Sequence, residues 1–366
     1  MPRLVSILRL DPREGGRGEQ NGDAVSAGFV AGVPEALDAV AERAPESHRF
    51  LRSAWYAAAL RAYGGAARTL MVEDAGTPVA ALPLVARGPR WLGLAEIPGC
   101  YWPFRSFPVV EGAADAAADA VLAVLARQVR ALRIGPVYDG DPALEWLKAR
   151  AVAKGWTLLD RYVADSFLLD ITASDWPRGS TLRKNRQLER HLASEGAVTW
   201  EWGTPDIDAL ADIERRSWIA HRTDGRDAKF TEAGHGAFWR AALHDPVLAG
   251  MLSAALLRID GRPVAFSFDL VTGARCYAIA NSYDPAVARH SPGKLLQYRN
   301  LTRARDAGVT LVDWGAGDSG YKQTMGAVRG PAIRDWIFVR PGLEGLAARQ
   351  LRARWRRSGQ ATGGQA

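Results

Sequence analysis

Two groups of residues within 275–326 have the types and spacing for chemistry. The first is Ser291-Pro292-Gly293-Lys294. Ser is a good N-cap, and Pro suits the first helical position, where its missing N–H would have no partner anyway. The N–H groups and dipole of such a helix start favour an anion. Gly293 would let a phosphate approach the backbone, and Lys294 adds a charge. The same four residues also describe an ordinary capped helix start. The second group is Asp313-x-Gly315-x-Gly317-Asp318, followed by Tyr321-Lys322. It is a small polar loop after an apolar run, with a cation behind it. Its bland reading is a lysine that snorkels at the surface over a packed tyrosine.

Two further constellations lie upstream. Arg183-Lys184-Asn185-Arg186, with Arg190 and His191, opens a helix after Gly179, and Arg183, Arg186 (or Gln187) and Arg190 fall three to four residues apart and make one basic face. Such a face either meets phosphates or carboxylates, which Arg grips bidentately, or is simply solvated. Glu214, Trp218, His221 and Arg222 follow helical spacing into a Gly/Asp loop. They either border a pocket or divide into a core Trp and solvent-facing polar groups. Gly315-x-Gly317-x-x-Gly320 matches the letters of a dinucleotide fingerprint. No crossover helix can follow it before Gly326, Gly330 and Pro331, so NAD binding is not expected. Cys100 and Cys276 lack a paired His, and no G-x-S-x-G occurs, so covalent catalysis has no support.

The elements that must position these groups follow from periodicity. Arg275–Ser282 reads as a core strand broken by Asp284-Pro285. A helix runs from Ser291 to Gly308 with Leu295, Tyr298 and Leu301 on one face, and Val309–Asp313 is the next buried strand. Met251–Asp260 and Arg262–Val271 are strands joined by Asp260-Gly261, a strong hairpin signal. Upstream, Pro34–Val40, Phe50–Tyr63, Ala114–Arg130 and Pro142–Lys154 read as helices. Ala67–Glu73, Val79–Ala86, Leu132–Gly135 and Asp165–Ile171 read as strands. The start of the chain alternates like a first strand, and Glu14–Gly32 reads as a glycine-rich loop. Asp206–Ser217, His235–Leu243 and residues 343–357 are expected helices, and Ile333–Val339 a strand. Each half thus runs helices, antiparallel hairpin, helix, strand. The expected fold is α/β with two similar units: residues 1–171, residues 172–342 carrying the chemistry, and a basic helix and tail at 343–366.

Length and composition agree. A chain of 366 residues, 48% hydrophobic and 24% charged, is expected to fold as two globular domains. No apolar run reaches the roughly 18 residues of a membrane span, and the N-terminus lacks a signal-peptide pattern. Two distant cysteines fit a reducing, cytoplasmic setting. Six His without ligand spacing predict no metal. Of the formal charge of +7, five charges sit at Arg349, Arg352, Arg354, Arg356 and Arg357, which leaves about +2 for the body. Global charge therefore does not by itself indicate a nucleic-acid partner.

Tyr283-Asp284-Pro285, Ser291-Pro292-Gly293, Ala307-Gly308, Asp313-x-Gly315-x-Gly317-Asp318 and Tyr321-Lys322 together resemble the signature of BioF2-like (CelD-type) acetyltransferases, a FemAB-like branch of the GNAT superfamily. The resemblance extends over most of the chain. It implies tandem GNAT-like units and an N-acyltransferase that moves an acyl group from acyl-CoA to an amine of a small molecule or saccharide by direct attack, without a metal. It implies that Ser291, Gly293, Lys294, Gly315 and Gly317 hold the donor. Arg183, Lys184, Arg186, Trp218 and Arg222 would face the substrate. Lys322 and Tyr321 would stand at the acyl group, where a cation stabilises the oxyanion. Glu214, Asp318 and His221 are the candidate bases. Gly293 alone remains of the family's Gly-rich acyl-CoA loop, so an aminoacyl-tRNA donor is the alternative, supported by the basic helix and the arginine tail. A non-catalytic subunit of a polysaccharide-export system is the third reading.

Overall fold

The computed structural model describes residues 25–103, 105–221, 227–317 and 320–360. Contacts divide the chain into two compact units: one formed by the residues up to Ala164 together with those from Pro331 onward, the other by Asp165–Gly330.

The first unit runs β1 (Ser26–Ala31), α1 (Ala36–Glu42), α2 (Ser53–Tyr63), β2 (Ala67–Asp74), β3 (Thr77–Ala86), β4 (Leu94–Glu96), α3 (Asp115–Gln128), β5 (Ala131–Tyr138), α4 (Pro142–Ala153) and the start of β6 (Thr157–Asp170). The expected loop at Glu14–Gly32 is corrected in its described part. Ser26–Ala31 pairs antiparallel with β2 along its whole length. Phe29 and Val30 favour a strand while Ser26, Ala27 and Gly28 do not, so the backbone ladder to β2 completes it. The expected strand at the very start of the chain lies outside the described residues.

The second unit takes the rest of β6, then α5 (Gly179–Leu192), β7 (Val198–Gly203), α6 (Ile207–Arg216), α7 (Gly236–Ala242), α8 (Pro246–Met251), β8 (Leu252–Ile259), β9 (Arg262–Thr272), β10 (Arg275–Tyr283), α9 (Pro292–Asp306), β11 (Leu311–Ala316) and α10 (Tyr321–Thr324). Its strands lie in the order β6-β11-β10-β9-β8-β7. The chain closes with β12 (Val328–Val339) and α11 (Leu343–Gln360). β12 pairs antiparallel with β5, and α11 lays Ala348 and Trp355 against Leu159 and Val339, so both pack with the first unit. Strand, helices, three strands, helix, strand, helix recurs in both units. The hairpin turns also correspond. Ala75 and Gly76 have φ of 48° and 75°, and Asp260 and Gly261 have φ of 49° and 79°. Both central residues are thus left-handed, the backbone that matches strand twist in a two-residue hairpin.

The core of the second unit packs aromatic rings against β9. Phe230 packs edge-on to Phe266 and Phe268, with ring centroids at 5.4 and 4.9 Å, and Trp239 meets Phe268 at 4.8 Å. On the other side Trp176 stacks on Tyr298 at 6.1 Å and donates its Nε1–H to the Met325 carbonyl at 3.1 Å. That contact ties α9 to the turn after α10.

Candidate functional site

The site begins where two parallel strands part. β10 follows β9 antiparallel over its whole length, but it matches β11 only through Arg275, Cys276 and Tyr277, opposite Leu311, Val312 and Asp313. A bulge between Ala278 and Ala280 then turns β10, a common device for ending one pairing and re-aiming a strand. Beyond its end the chain breaks at Asp284, whose side chain accepts the Ala286 N–H at 3.0 Å. It then makes a 3-10 turn and enters α9 with Pro292 at its first position.

Ser291 precedes that helix in the left-handed region, with φ 53° and ψ 48°, and its side chain makes no cap bond. The expected hydroxyl cap is thus corrected. An N-cap hydroxyl reaches the N–H groups from an extended backbone, which Ser291 does not have. Gly293 is needed for close approach. A Cβ there would lie 2.9 Å from Tyr283 Cδ1 and 3.1 Å from Asn281 Oδ1.

A cleft of about 620 Å³ opens at this place. Asn281 and Tyr283 come from β10, Gly293, Lys294 and Gln297 from the start of α9, and Tyr321, Thr324 and Met325 from α10 and its end. Trp218 comes from the turn after α6. Trp218 and Tyr321 are both exposed, at 53% and 44%. The cleft therefore pairs an aromatic mouth with an amide-lined wall. Lys294 lies 5.8 Å from the Tyr298 ring. Burial and the nearby charge of Lys184 pull its ammonium below the usual lysine range. Two cations thus raise the positive potential beside a helix N-terminus. The corresponding helix α3 of the first unit opens instead on Asp115, which repels an anion.

Of the residues singled out from sequence, Gly293, Lys294, Trp218 and Tyr321 meet in this cleft. Lys184 reaches it electrostatically from exposed positions on α5, where Arg183 and Arg186 are exposed as well. Arg186 lines a separate groove of about 640 Å³ between α5 and α9, with Asn185, Tyr298 and Arg303.

Lys322 is buried, and its ammonium donates to the carbonyl oxygens of Trp314 at 2.8 Å, Ala316 at 3.0 Å and Gly317. It also lies 5.5 Å from the Phe167 ring. Gly315 and Gly317 have φ of 60° and 68°, which lets the loop fold its carbonyls onto that lysine. Asp313 fixes the loop's other end by accepting the Gly315 N–H at 2.8 Å.

Glu214 is likewise buried. Its two oxygens accept the backbone N–H of Lys229 at 2.9 Å and of Phe230 at 2.8 Å, and burial pushes its carboxyl above the usual range. It clamps the segment that carries Phe230 into the core. Asp318 and Arg222 lie outside the described residues, as does the side chain of His221. Among the described residues no cluster could hold a metal ion, and no helix is long and apolar enough to cross a membrane. Cys100 and Cys276 are buried, and burial pushes the Cys100 thiol up to about 11 and the Cys276 thiol well above its usual range.

Sequence reasoning missed Asn281 and Gln297. Behind them runs a buried polar chain. Asn281 Nδ2 donates to Gln297 Oε1 at 3.0 Å, and Ser267 Oγ donates to the same oxygen at 3.2 Å. Asn300 Nδ2 reaches Ser267 Oγ at 3.3 Å and Asp269 Oδ2 at 2.5 Å. The signal available in sequence was the four-residue spacing of Gly293 and Gln297, which places both on one helix face.

Residues 179–323 match the family model of the acetyltransferase (GNAT) domain. They run from the start of α5 through Gln323 and include every residue of the cleft except Thr324 and Met325. No curated protein sequence matches. Among solved structures the chain is similar to FemX, at 14% identity over 86% of this chain and 97% of that one, with a TM-score of 0.59. It is also similar to L-PGS from Bacillus licheniformis, at 13% identity over 92% and 99% and a TM-score of 0.53. A third is the C-terminal domain of a putative lysylphosphatidylglycerol synthetase from Agrobacterium fabrum, at 18% over 87% and 94% and a TM-score of 0.52. The second unit thus carries a match to the GNAT acetyltransferase domain, and at these identities the likeness to FemX, L-PGS and the putative synthetase domain is one of fold.

Proposed function

We propose that this enzyme transfers an acyl group from acyl-CoA to the amine of a small molecule or saccharide at the cleft between β10 and α9. The observation that carries this reading is the convergence of Lys294, the positive potential of Lys184 and the α9 N-terminus at the point where β10 leaves β11. A helix start with lysines beside it favours a diphosphate. The gap between the parted strands would take the extended arm of the donor, and the aromatic mouth of Trp218 and Tyr321 would face the acceptor.

The amine nitrogen attacks the thioester carbon directly, a C–N bond forms, and the C–S bond breaks. The amine's proton is removed, and the leaving thiolate ends as the thiol of CoA. Holding the two reactants in line supplies much of the rate. In this reading Lys322 is a positioning residue. Its three bonds to loop carbonyls match the three N–H groups of an ammonium, so it shapes the loop, and the oxyanion falls to backbone N–H groups of the neighbouring strand. Glu214 is a positioning residue for the same reason, which leaves Asp318 and His221 as the candidate bases.

A second reading keeps the site and changes the donor. One of the similar structures is named as a putative lysylphosphatidylglycerol synthetase, which points to an aminoacyl product, and a phosphate-seeking helix start serves an aminoacyl-tRNA equally well. The test incubates the protein with acetyl-CoA or with charged tRNA, each with an amine library, and detects products by mass spectrometry. The proposal expects acetylated amine and released CoA. Transfer from charged tRNA alone would replace it by the second reading, and transfer from neither would overturn both.

A further inference from the structure

Asp269 is a buried carboxyl on β9 that the transfer step itself does not use. Polar side chains join it to the wall of the cleft. Asn300 Nδ2 donates to Asp269 Oδ2 at 2.5 Å and to Ser267 Oγ at 3.3 Å. Ser267 Oγ stands 3.5 Å from Asp269 Oδ1 and 3.2 Å from Gln297 Oε1. Asn281 Nδ2 donates to the same Gln297 oxygen at 3.0 Å and to the Gly293 carbonyl at 3.4 Å. Asn281, Gln297 and Gly293 all line the cleft, so the chain runs from a buried acid to the start of α9.

The protons available decide what Asp269 does in this chain. A hydroxyl has one proton to donate. Ser267 faces two acceptors, Asp269 Oδ1 and Gln297 Oε1, and can serve one at a time. When Asp269 carries a proton on Oδ1, it donates to Ser267 Oγ, and Ser267 donates onward to Gln297. When Asp269 is ionised, a charge-assisted bond draws the Ser267 proton back to it, and Asn281 alone still donates to that Gln297 oxygen. Protonation at one end thus fixes how firmly the amide pair at the other end is held.

The surroundings bring this change into the neutral range. Burial pushes the Asp269 carboxyl up to about 7, and the bonds from Asn300 and Ser267 offset only part of that rise. From α9 it meets neutral amides, while Arg299 and Arg303 of that helix lie over Trp200 and Trp202. In the strand register Ser253 of β8 and Ala278 of β10 stand opposite it. Cys276 of β10 feels its charge, and burial, Asp269 and Asp313 together push that thiol well above its usual range, so it stays neutral. Asp313 of β11 has Arg275 at 3.7 Å.

We propose that Asp269 is a positioning residue whose protonation, read through Ser267, Gln297 and Asn281, tightens the cleft wall beside Gly293 and makes ligand binding there depend on pH. The proposal rests on the function proposed above in taking this cleft as the donor site. A wall already fixed costs less to order when a ligand packs on it, so the protonated form binds more tightly. Affinity should be full below the Asp269 titration and fall as pH rises through it, by about three- to tenfold, the range of one neutral hydrogen bond.

The test is titration calorimetry of acetyl-CoA at about pH 6 and about pH 8, either side of that titration, with the full chain, Asp269→Asn and Ser267→Ala. Asp269→Asn sets an N–H where the acid's proton stood, so it should keep the tighter binding at the higher pH. Ser267→Ala cuts the chain and should bind weakly at both. Lys294 and the ligand phosphates titrate alike in all three proteins, so their contribution cancels in the comparison. Binding by Asp269→Asn that weakens with pH as steeply as in the unaltered protein, or that is weak at both values, would overturn the inference and leave the acyl-CoA reading intact. If Asp269→Asn folds poorly, Ser267→Ala decides alone: the unaltered pH dependence in that variant would overturn the inference. Failure of the unaltered protein to bind acetyl-CoA at either pH would overturn the proposed function and this inference with it.

Discussion

Lys322→Met separates two roles that a buried lysine near an acyl donor can play. Methionine keeps most of the stem's contact with Phe167 and removes the ammonium. In the structure that ammonium donates to the Trp314, Ala316 and Gly317 carbonyls. The Trp314 bond is buried, and a bond to a charged group there is worth about 1.5–3 kcal/mol. The other two are partly solvated and would each contribute roughly 0.5 kcal/mol after screening. The sum is about 3 kcal/mol. For a unit of this size each kcal/mol moves the melting temperature by about 2–4 °C, so differential scanning calorimetry should show a fall of about 6–12 °C. In steady-state assays the loosened loop should raise donor KM and lower kcat together. An unchanged melting temperature with kcat down by about 10²–10³, the signature of a lost oxyanion donor, would refute the positioning role.

The remaining predictions concern the cleft and its supports. Burial pushes the Asp269 carboxyl up to about 7 from an ordinary 3.8. The folded state therefore holds a proton that the unfolded state releases, and stability is full below pH 4 and falls between about pH 4 and 7, by on the order of 4 kcal/mol at most. Asp269→Asn keeps the bonds to Asn300 and Ser267, so in urea titrations it should flatten that dependence; a variant with the unaltered pH profile would show that Asp269 is not the group responsible. Gly293→Ala forces a Cβ to 2.9 Å from Tyr283 and should cost about 1–3 kcal/mol of stability with a matching loss of donor affinity; full affinity would show that the ring moves aside without consequence. Glu214→Gln sets an amide N–H against one of the two backbone donors it accepts. It should cost about 1–3 kcal/mol in chemical denaturation, and preserved stability with abolished turnover would restore Glu214 as a base.

Much of the second unit was legible because its signals are local. Asp260-Gly261 marks a hairpin whichever core surrounds it, and Ser291-Pro292-Gly293-Lys294 marks a helix start. The limits are equally physical. Val198–Gly203 alternates in burial along its whole length but was not read as a strand. Ser26–Ala31 begins with three small residues, whose strand conformation rests on the ladder to β2. The role of Lys322 was beyond the sequence because its partners are backbone carbonyls, which every residue has. Gln297 and Asn281 could not be told from solvated amides, since only the fold joins them to Ser267, Asn300 and Asp269. Ser291 was read correctly as the residue before the helix and incorrectly as its side-chain cap, because the letter does not reveal its left-handed backbone.

The central claim is that the start of α9 holds the phosphates of an acyl-CoA. Its most direct test is titration calorimetry of acetyl-CoA against the unaltered protein and Lys294→Ala, at low and moderate salt. The account predicts binding by the unaltered protein that weakens with salt, and an affinity about ten- to hundredfold lower in Lys294→Ala, the value of one charge-assisted contact of about 1.5–3 kcal/mol. Equal affinity in the two proteins, or no acetyl-CoA binding by the unaltered one, would contradict it.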